Sequence, residues 1–236
     1  DLQDAYKSIH ESLCQCGTYN DCKIKPHFIN SEKITEANVA QMLKGMDGIL
    51  VAPGFGNRGV EGKINAVEYA RVNKIPFMGI CLGMQCAVVE FARNVLGYAD
   101  AHSREMNSDT KHPVIEIMAE QKNIVNMGGT MRLGAYPCRV SEDSNLYKAY
   151  GETLISERHR HRYEFNNEYL EEFKKHGMKV TGINPDTNLV EVVEVEDHPW
   201  YVASQYHPEY KSTVAKPHPM FVGFVKAMLE YNKINN

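Results

Sequence analysis

The feature that most restricts the fold of this 236-residue chain is the regular exchange of helical and strand-like stretches through its first half. Helical patterning near 2–14, 36–44, 61–73 and 82–93 alternates with apolar runs near 23–29, 48–52 and 76–80. That rhythm implies βαβ units, so an α/β fold is expected, with a mostly parallel central sheet flanked by helices on both faces. The second half changes character. Gly128-Gly129 and the run Leu189-Val190-Glu191-Val192-Val193-Glu194-Val195 predict additional antiparallel, hairpin-like strands. A helix near 167–176, with Asn167 as N-cap and Gly177 just past its end, interrupts them. A strand over 201–206 and a helix near 219–231 close the chain, and the polar, unpatterned stretch 102–112 reads as a loop beside a site.

With 43% apolar residues the chain can bury a sizeable core, and one α/β domain over 1–236 is expected. A formal net charge of −4 argues against nucleic acid or an acidic membrane face as partner and favours small polar substrates or proteins. No apolar run approaches the roughly 20 residues that span a bilayer, and no signal peptide opens the sequence, so a cytoplasmic protein is expected. The chain begins at Asp1 without an initiator Met and enters a helical stretch directly, where an α/β domain usually opens with a strand; a fragment is therefore predicted, with a preceding strand or a whole domain elsewhere. Six cysteines are too sparse for a disulfide scaffold, so reduced thiols are expected. Cys14, Cys16 and Cys22, near His10 and His27, match no common zinc spacing, and Cys14 continues an apolar stripe with Tyr6, Ile9 and Leu13; no metal site is expected.

The strongest local signal is Gly79-Ile80-Cys81-Leu82-Gly83-Met84-Gln85, a short strand running into a helix with a cysteine at the junction. This is the nucleophile-elbow arrangement with Cys in place of Ser. Glycines two residues before and after Cys81 suit it, because a tight strand-to-helix turn leaves no room there for Cβ atoms. A helix starting at Leu82 aims its free N–H groups and positive dipole end at the sulfur, which favours the thiolate. The Leu82 N–H is also placed to donate to an oxyanion. Read alone, Cys81 could equally be a buried small residue at a strand end.

A cysteine nucleophile needs a histidine from elsewhere in the chain, and Gln205-Tyr206-His207-Pro208-Glu209 follows the last apolar strand. In extended backbone, positions i and i+2 point the same way, so Glu209 can bond the His207 imidazole, fix its tautomer and stabilise the imidazolium. His-Pro-Glu by itself is more often a turn. Paired with the elbow it completes a triad of Cys81, His207 and Glu209.

An elbow cysteine followed much later by His-x-Glu resembles the class I glutamine amidotransferases. Within them, the strings Gly54-Phe55-Gly56-Asn57-Arg58-Gly59-Val60-Glu61-Gly62-Lys63, Gly128-Gly129-Thr130-Met131-Arg132-Leu133-Gly134 and Glu157-Arg158-His159-Arg160-His161-Arg162-Tyr163-Glu164 are similar to the glutaminase domains of CTP synthases, and the resemblance runs over nearly the whole chain. Gly54, Gly56 and Gly59 also satisfy the G-x-G-x-x-G pattern of a dinucleotide site. Pro53 just before the first glycine, and a following strand that ends in Cys81 where the ribose-binding acid would stand, argue against that reading. The sequence departs from the family's Pro-Gly-Gly-Phe-Gly: Ala52-Pro53-Gly54-Phe55-Gly56 carries proline in the first glycine's place.

The resemblance implies a flavodoxin-like, three-layer class I amidotransferase fold. It implies that backbone N–H groups at Gly54 and Phe55, with Leu82, form the oxyanion hole and bind L-glutamine together with Gln85, which helps position the amino-acid backbone, Arg162, which holds the α-carboxylate, and Glu105, which holds the α-ammonium. Along 158–162, strand alternation puts the arginines on one face and His159 and His161 on the other; a solvated basic strand accounts equally well for Arg158 and Arg160. The implied reaction hydrolyses glutamine through a Cys81 thioester. Its ammonia passes to a synthetase domain, absent from this chain, that converts UTP to CTP with ATP and Mg2+, with GTP as activator and a tetramer as the full-length assembly. No Walker-type G-x-x-x-x-G-K-[ST] occurs in the sequence, so no cofactor is expected in this domain. A cysteine peptidase or γ-glutamyl hydrolase would use the same elbow and base, and a regulatory domain with a vestigial site is the non-enzymatic alternative.

Overall fold

The computed structural model describes residues 6–117 and 131–235. In chain order the helices are α1 (Lys7–Tyr19), α2 (Val39–Met42), α3 (Val60–Val72), α4 (Leu82–Asn94), α5 (Asn145–Tyr150), α6 (Leu170–Lys175) and α7 (Pro219–Asn235). The strands are β1 (Ile49–Val51), β2 (Phe77–Ile80), β3 (His102–Ser103), β4 (Pro113–Ile117), β5 (Arg132–Val140), β6 (Leu154–His161), β7 (Tyr163–Phe165), β8 (Met178–Ile183), β9 (Val190–Val195) and β10 (Tyr201–Ser204). Among the described residues seven strands form one mixed sheet in the order β1-β2-β10-β9-β8-β5-β6, and β3-β4-β7 form a smaller one.

In the large sheet parallel pairing is confined to β1-β2-β10, where α3 supplies the crossover between the first two strands; its remaining ladders are antiparallel. The C-terminal strand β10 slots in beside β2 in register, with Ser204 opposite Ile80. Both strands therefore run out at the same edge, and whatever follows them is brought together although it lies far apart in sequence.

Alternation along these strands feeds two cores. Phe77 and Tyr201, ring centroids 4.5 Å apart, face α3 and α4, while Met78 and Val202 face α1, α5 and α7. With helices on both faces, the central strands are buried on both sides, which is why β2 and β10 read as continuous apolar runs. The Arg71 guanidinium donates to both oxygens of Glu90, at 2.7 Å for the shorter Nη2 contact, and so ties α3 to α4 inside that packing. No helix among the described residues is long and apolar enough to cross a membrane.

Several expectations need correction. The run 23–29 has no regular secondary structure and joins neither sheet. Pro26 has no N–H to give a ladder, and Ile24 packs on Gly17 of α1. The helix expected near 36–44 is the single turn α2. The first helix runs on to Tyr19, and residues 1–5 lie outside the described residues. Its buried face is Ile9, Ser12 and Cys16, and Cys14 is exposed, so Cys14 does not continue the apolar stripe. The N-cap before α6 is Asn166, whose side chain accepts from the Glu168 N–H; Asn167 already belongs to the preceding 3-10 turn. The stretch 102–112 is not all loop, because β3 pairs in parallel with β4. Gly128-Gly129 lies outside the described residues.

Candidate active site

Cys81 stands at the junction of β2 and α4 with φ 54° and ψ −103°, a conformation that costs a non-glycine residue about 1–3 kcal/mol and persists only when its surroundings enforce it. They do so in three ways. The Cys81 N–H donates to the Ser204 carbonyl at 2.7 Å, pinning the elbow to β10. Its carbonyl accepts the Met84 and Gln85 N–H groups and starts α4. The flanking glycines allow contact that a side chain would prevent: a Cβ on Gly79 would lie 2.9 Å from the Gly83 carbonyl group, and one on Gly83 would collide with the carbonyl of Val51. Both glycines therefore serve close approach, while the left-handed φ falls on the cysteine itself. No side chain caps α4, so its first N–H groups, Leu82 among them, have no intrahelical partner and lie beside the thiol.

Cys81 is 3% exposed, and its sulfur meets the fully buried Gln205, whose Nε2 donates to Sγ at 3.6 Å. Two residues on, His207 Nδ1 lies 2.7 Å from Glu209 Oε1, both side chains being buried. They meet in a 3-10 turn, Pro208–Tyr210, with His207 as its N-cap; this corrects the expectation of an extended i, i+2 pair, because Pro208 at the first position of the turn starts the helical bend. Burial works to lower the His207 pKa, but interaction with Cys81 and then Glu209 outweighs it and raises it from 6.5 to about 9. Nδ1 is thus turned to the carboxylate, and Nε2, which no other atom of the described residues bonds, is left for the sulfur. Tyr210 stacks on the imidazole, with centroids 4.9 Å apart and planes 9° from parallel.

The loop after β1 closes the site. Gly54 lies against Leu82, so near that a Cβ would stand 3.3 Å from Leu82 Cδ2 and 3.4 Å from Lys63 Nζ. Gly56 has φ 70°, the Phe55 side chain is exposed, and the Arg160 guanidinium lies 5.9 Å over its ring. Glu105 approaches the same loop: burial pushes its carboxyl pKa up, while the Gly56 N–H and the Arg162 charge pull it back. Glu105, Gly56 and Arg162 therefore converge although they come from three separate stretches of chain. Gln85 is buried, and its Nε2 donates to the Tyr163 carbonyl at 3.1 Å and to Gln205 at 3.4 Å, tying the elbow helix to β7 and to the segment before His207.

In β6 the alternation is as expected, with Arg158 and Arg160 outward and His159 and His161 inward, and Arg162 falls in the bend before β7. Sequence reasoning missed what the inward histidines meet. His159 Nδ1 is 2.8 Å from His161 Nε2, and Arg132 donates to Glu191 at 2.7 Å beside them. Burial first, and then the Arg132 charge, push the His161 pKa down to about 3 and that of His159 lower still, so both are neutral. The inward His-x-His was visible in the sequence; Arg132 and Glu191, 59 positions apart, carry no signal that would pair them. Tyr210 was equally hidden, since a tyrosine after His-Pro-Glu shows no stacking in one dimension.

A strained cysteine with a carboxylate-oriented histidine, beside free helix N–H groups and a glycine loop, is equipped to attack a carbonyl and hold the resulting oxyanion. The family model for class I glutamine amidotransferases matches residues 1–227. The chain belongs to that family. As a class I glutamine amidotransferase it is 61% identical over 233 residues to the CTP synthase of Bacteroides thetaiotaomicron and 60% to that of Cytophaga hutchinsonii, matching 99% of this chain and 43% of each relative. It thus spans less than half the length of these curated relatives. A glutaminase domain of Trypanosoma brucei CTPS, with bound acivicin, superposes with a TM-score of 0.93 at 37% identity, covering 98% of this chain and 90% of that one. A putative GMP synthase protein from Thermoplasma acidophilum shares the fold alone, with a TM-score of 0.60 at 17% identity over 94% of this chain and 89% of that one.

Proposed function

We propose that this chain is the glutaminase domain of a CTP synthase and that it hydrolyses L-glutamine to glutamate and ammonia. The observation that carries the reading is the meeting of Cys81, held at φ 54°, with a His207 whose Nδ1 is bonded to Glu209 at 2.7 Å. Cys81 attacks the γ-amide carbon. His207, protonated through its interaction with the sulfur, delivers the proton to the departing ammonia and then activates the water that cleaves the glutamyl thioester. N–H groups at Leu82 and in the Gly54-Phe55 loop receive the oxyanion in both halves of the reaction; losing one such donor costs about 10²–10³ in rate. Arg162 takes the substrate carboxylate and Glu105 the ammonium, a division supported by their convergence at Gly56. Gln85, whose amide is held by Tyr163 and Gln205, helps position the amino-acid backbone of the substrate.

Ammonia is then consumed by a synthetase domain belonging to the rest of the full-length protein, which aminates UTP to CTP with ATP and Mg2+, with GTP as activator and a tetramer as the assembly. The relatives, of which the chain matches 43%, support a larger enzyme of this kind. The test is ammonia release from free glutamine by the chain, with and without a separately supplied synthetase domain. Release that depends on Cys81 is expected. Cleavage of peptides or polyglutamyl chains with no turnover of glutamine would replace this reading by that of a hydrolase acting alone.

A further inference from the structure

Lys63 lies under the oxyanion loop and, among the described residues, has no carboxylate to pair with. It sits at the end of the first turn of α3, and its ammonium reaches back to the Ala52 carbonyl at 3.4 Å and passes 3.4 Å from where a Cβ on Gly54 would stand. The acidic side chains nearby are engaged elsewhere: Glu61 with Arg93 at 2.8 Å and Glu32 with Arg58 at 2.8 Å. Burial lowers the Lys63 pKa, and among the described residues the only groups that act on it in the opposite sense are the thiols of Cys86 and Cys81. Cys86, in the core of α4, is pushed up to about 12 by burial and stays protonated. Of the two, Cys81 is the one at the strand-to-helix elbow, next to Leu82, which lies with the Lys63 ammonium against Gly54.

A half-buried ammonium without a counter-ion is costly to the fold, so its position points to work at the elbow. From this geometry we propose that Lys63 is a positioning residue for the nucleophile: its charge, held between the Ala52 carbonyl and Gly54, favours the ionised sulfur of Cys81 and anchors the entry to the oxyanion loop. Pro53 gives the anchor a particular use. The Ala52-Pro53 peptide has no N–H, so its carbonyl is the one polar group through which that peptide can be held. The assignment rests on Cys81 being the nucleophile proposed above.

The test uses the chain itself as wild type, Lys63→Met and Lys63→Gln. Met replaces the cation by an apolar chain of similar length; Gln retains a donor for Ala52 without the charge. The rate at which iodoacetamide modifies Cys81 is followed across about pH 5–9 by peptide mass spectrometry, because the reagent reports the thiolate. Both variants should move the midpoint of the alkylation profile upward by about one pH unit, with an approximately tenfold slower reaction below it. Their melting temperatures should equal or exceed that of wild type, since an unpaired cation has been removed. A midpoint equal to wild type in a folded Met or Gln variant overturns the proposal. So does a slower reaction in Met that Gln restores in full, since that assigns the effect to the hydrogen bond alone. The outcome is separable from that of the function: a shifted midpoint in a chain that releases no ammonia leaves Lys63 where it is proposed and removes the glutaminase reading, and ammonia release with an unshifted midpoint does the reverse.

Discussion

Glu209→Gln isolates the carboxylate from everything else in the site. The substitution preserves volume and lets an amide take the place of Oε1, 2.7 Å from His207 Nδ1. An amide N–H there donates to Nδ1 and keeps the ring's single proton on Nε2, so the neutral ring has no site for the Cys81 proton and the imidazolium loses the carboxylate that supports it. In wild type the His207 pKa stands at about 9 against an ordinary 6.5. That rise corresponds to roughly 3 kcal/mol in favour of the imidazolium, or a few hundredfold in its population. Cys81 and Glu209 share it, so losing the carboxylate's part should lower kcat/KM for glutamine by roughly ten- to a hundredfold. It should also bring down the upper limb of the pH profile. Ammonia release coupled to a glutamate dehydrogenase assay measures the rate, and a thermal melt controls for folding. A folded Gln variant within twofold of wild type, with an unmoved pH profile, would refute the claim that Glu209 orients and charges the base.

A glutamine-mimicking electrophile should label Cys81 ahead of Cys86 and Cys138, because burial holds the Cys86 pKa at about 12 and that of Cys138 higher, while Cys81 faces the base; peptide mass spectrometry locates the adduct. Gly83→Ala drives a methyl into the Val51 carbonyl, so a loss of about 1–3 kcal/mol or more in denaturant unfolding is expected, together with lost activity as α4 is levered off β1. The raised pKa of His207 also sets a stability window. The protonated ring favours the fold, so its contribution is complete below pH 6.5 and is lost as the pH rises through about 9. The gap in denaturant midpoint between wild type and His207→Gln should therefore narrow across that range, and a gap that widens would reverse the sign of the assignment.

Local chemistry was legible from residues alone wherever it depended on neighbours in the chain. The elbow at Gly79-Ile80-Cys81-Leu82-Gly83, the inward and outward alternation of 158–161, and the α3 and α4 helices follow from spacings that backbone geometry enforces within a few residues. The meeting of His207 with Cys81 could also be expected, because a cysteine read as a nucleophile calls for a histidine beside it. Boundaries and partnerships were not. Residues 23–29 have the composition of a strand, but a strand exists only where another offers it a ladder, and Pro26 with the anchoring of Ile24 on α1 left it none. The cap at Asn166 and the 3-10 turn at Pro208 turned on which of two adjacent residues bent first, a difference smaller than the patterns that identify an element.

What the sequence determined by itself was the set of candidate site residues and the strand-to-helix turn on which Cys81 stands. Only the tertiary structure decided how they are charged and held. The in-register pairing of β10 with β2 carries His207 across 126 positions to the sulfur, since two parallel strands that end together deliver their following residues to one place. Convergence of Glu105, Gly56 and Arg162, stacking of Tyr210 on the imidazole, and the placing of Lys63 beneath Gly54 are likewise matters of packing in space. Electrostatic interactions depend on distance and burial in space, and neither quantity is written in the order of residues.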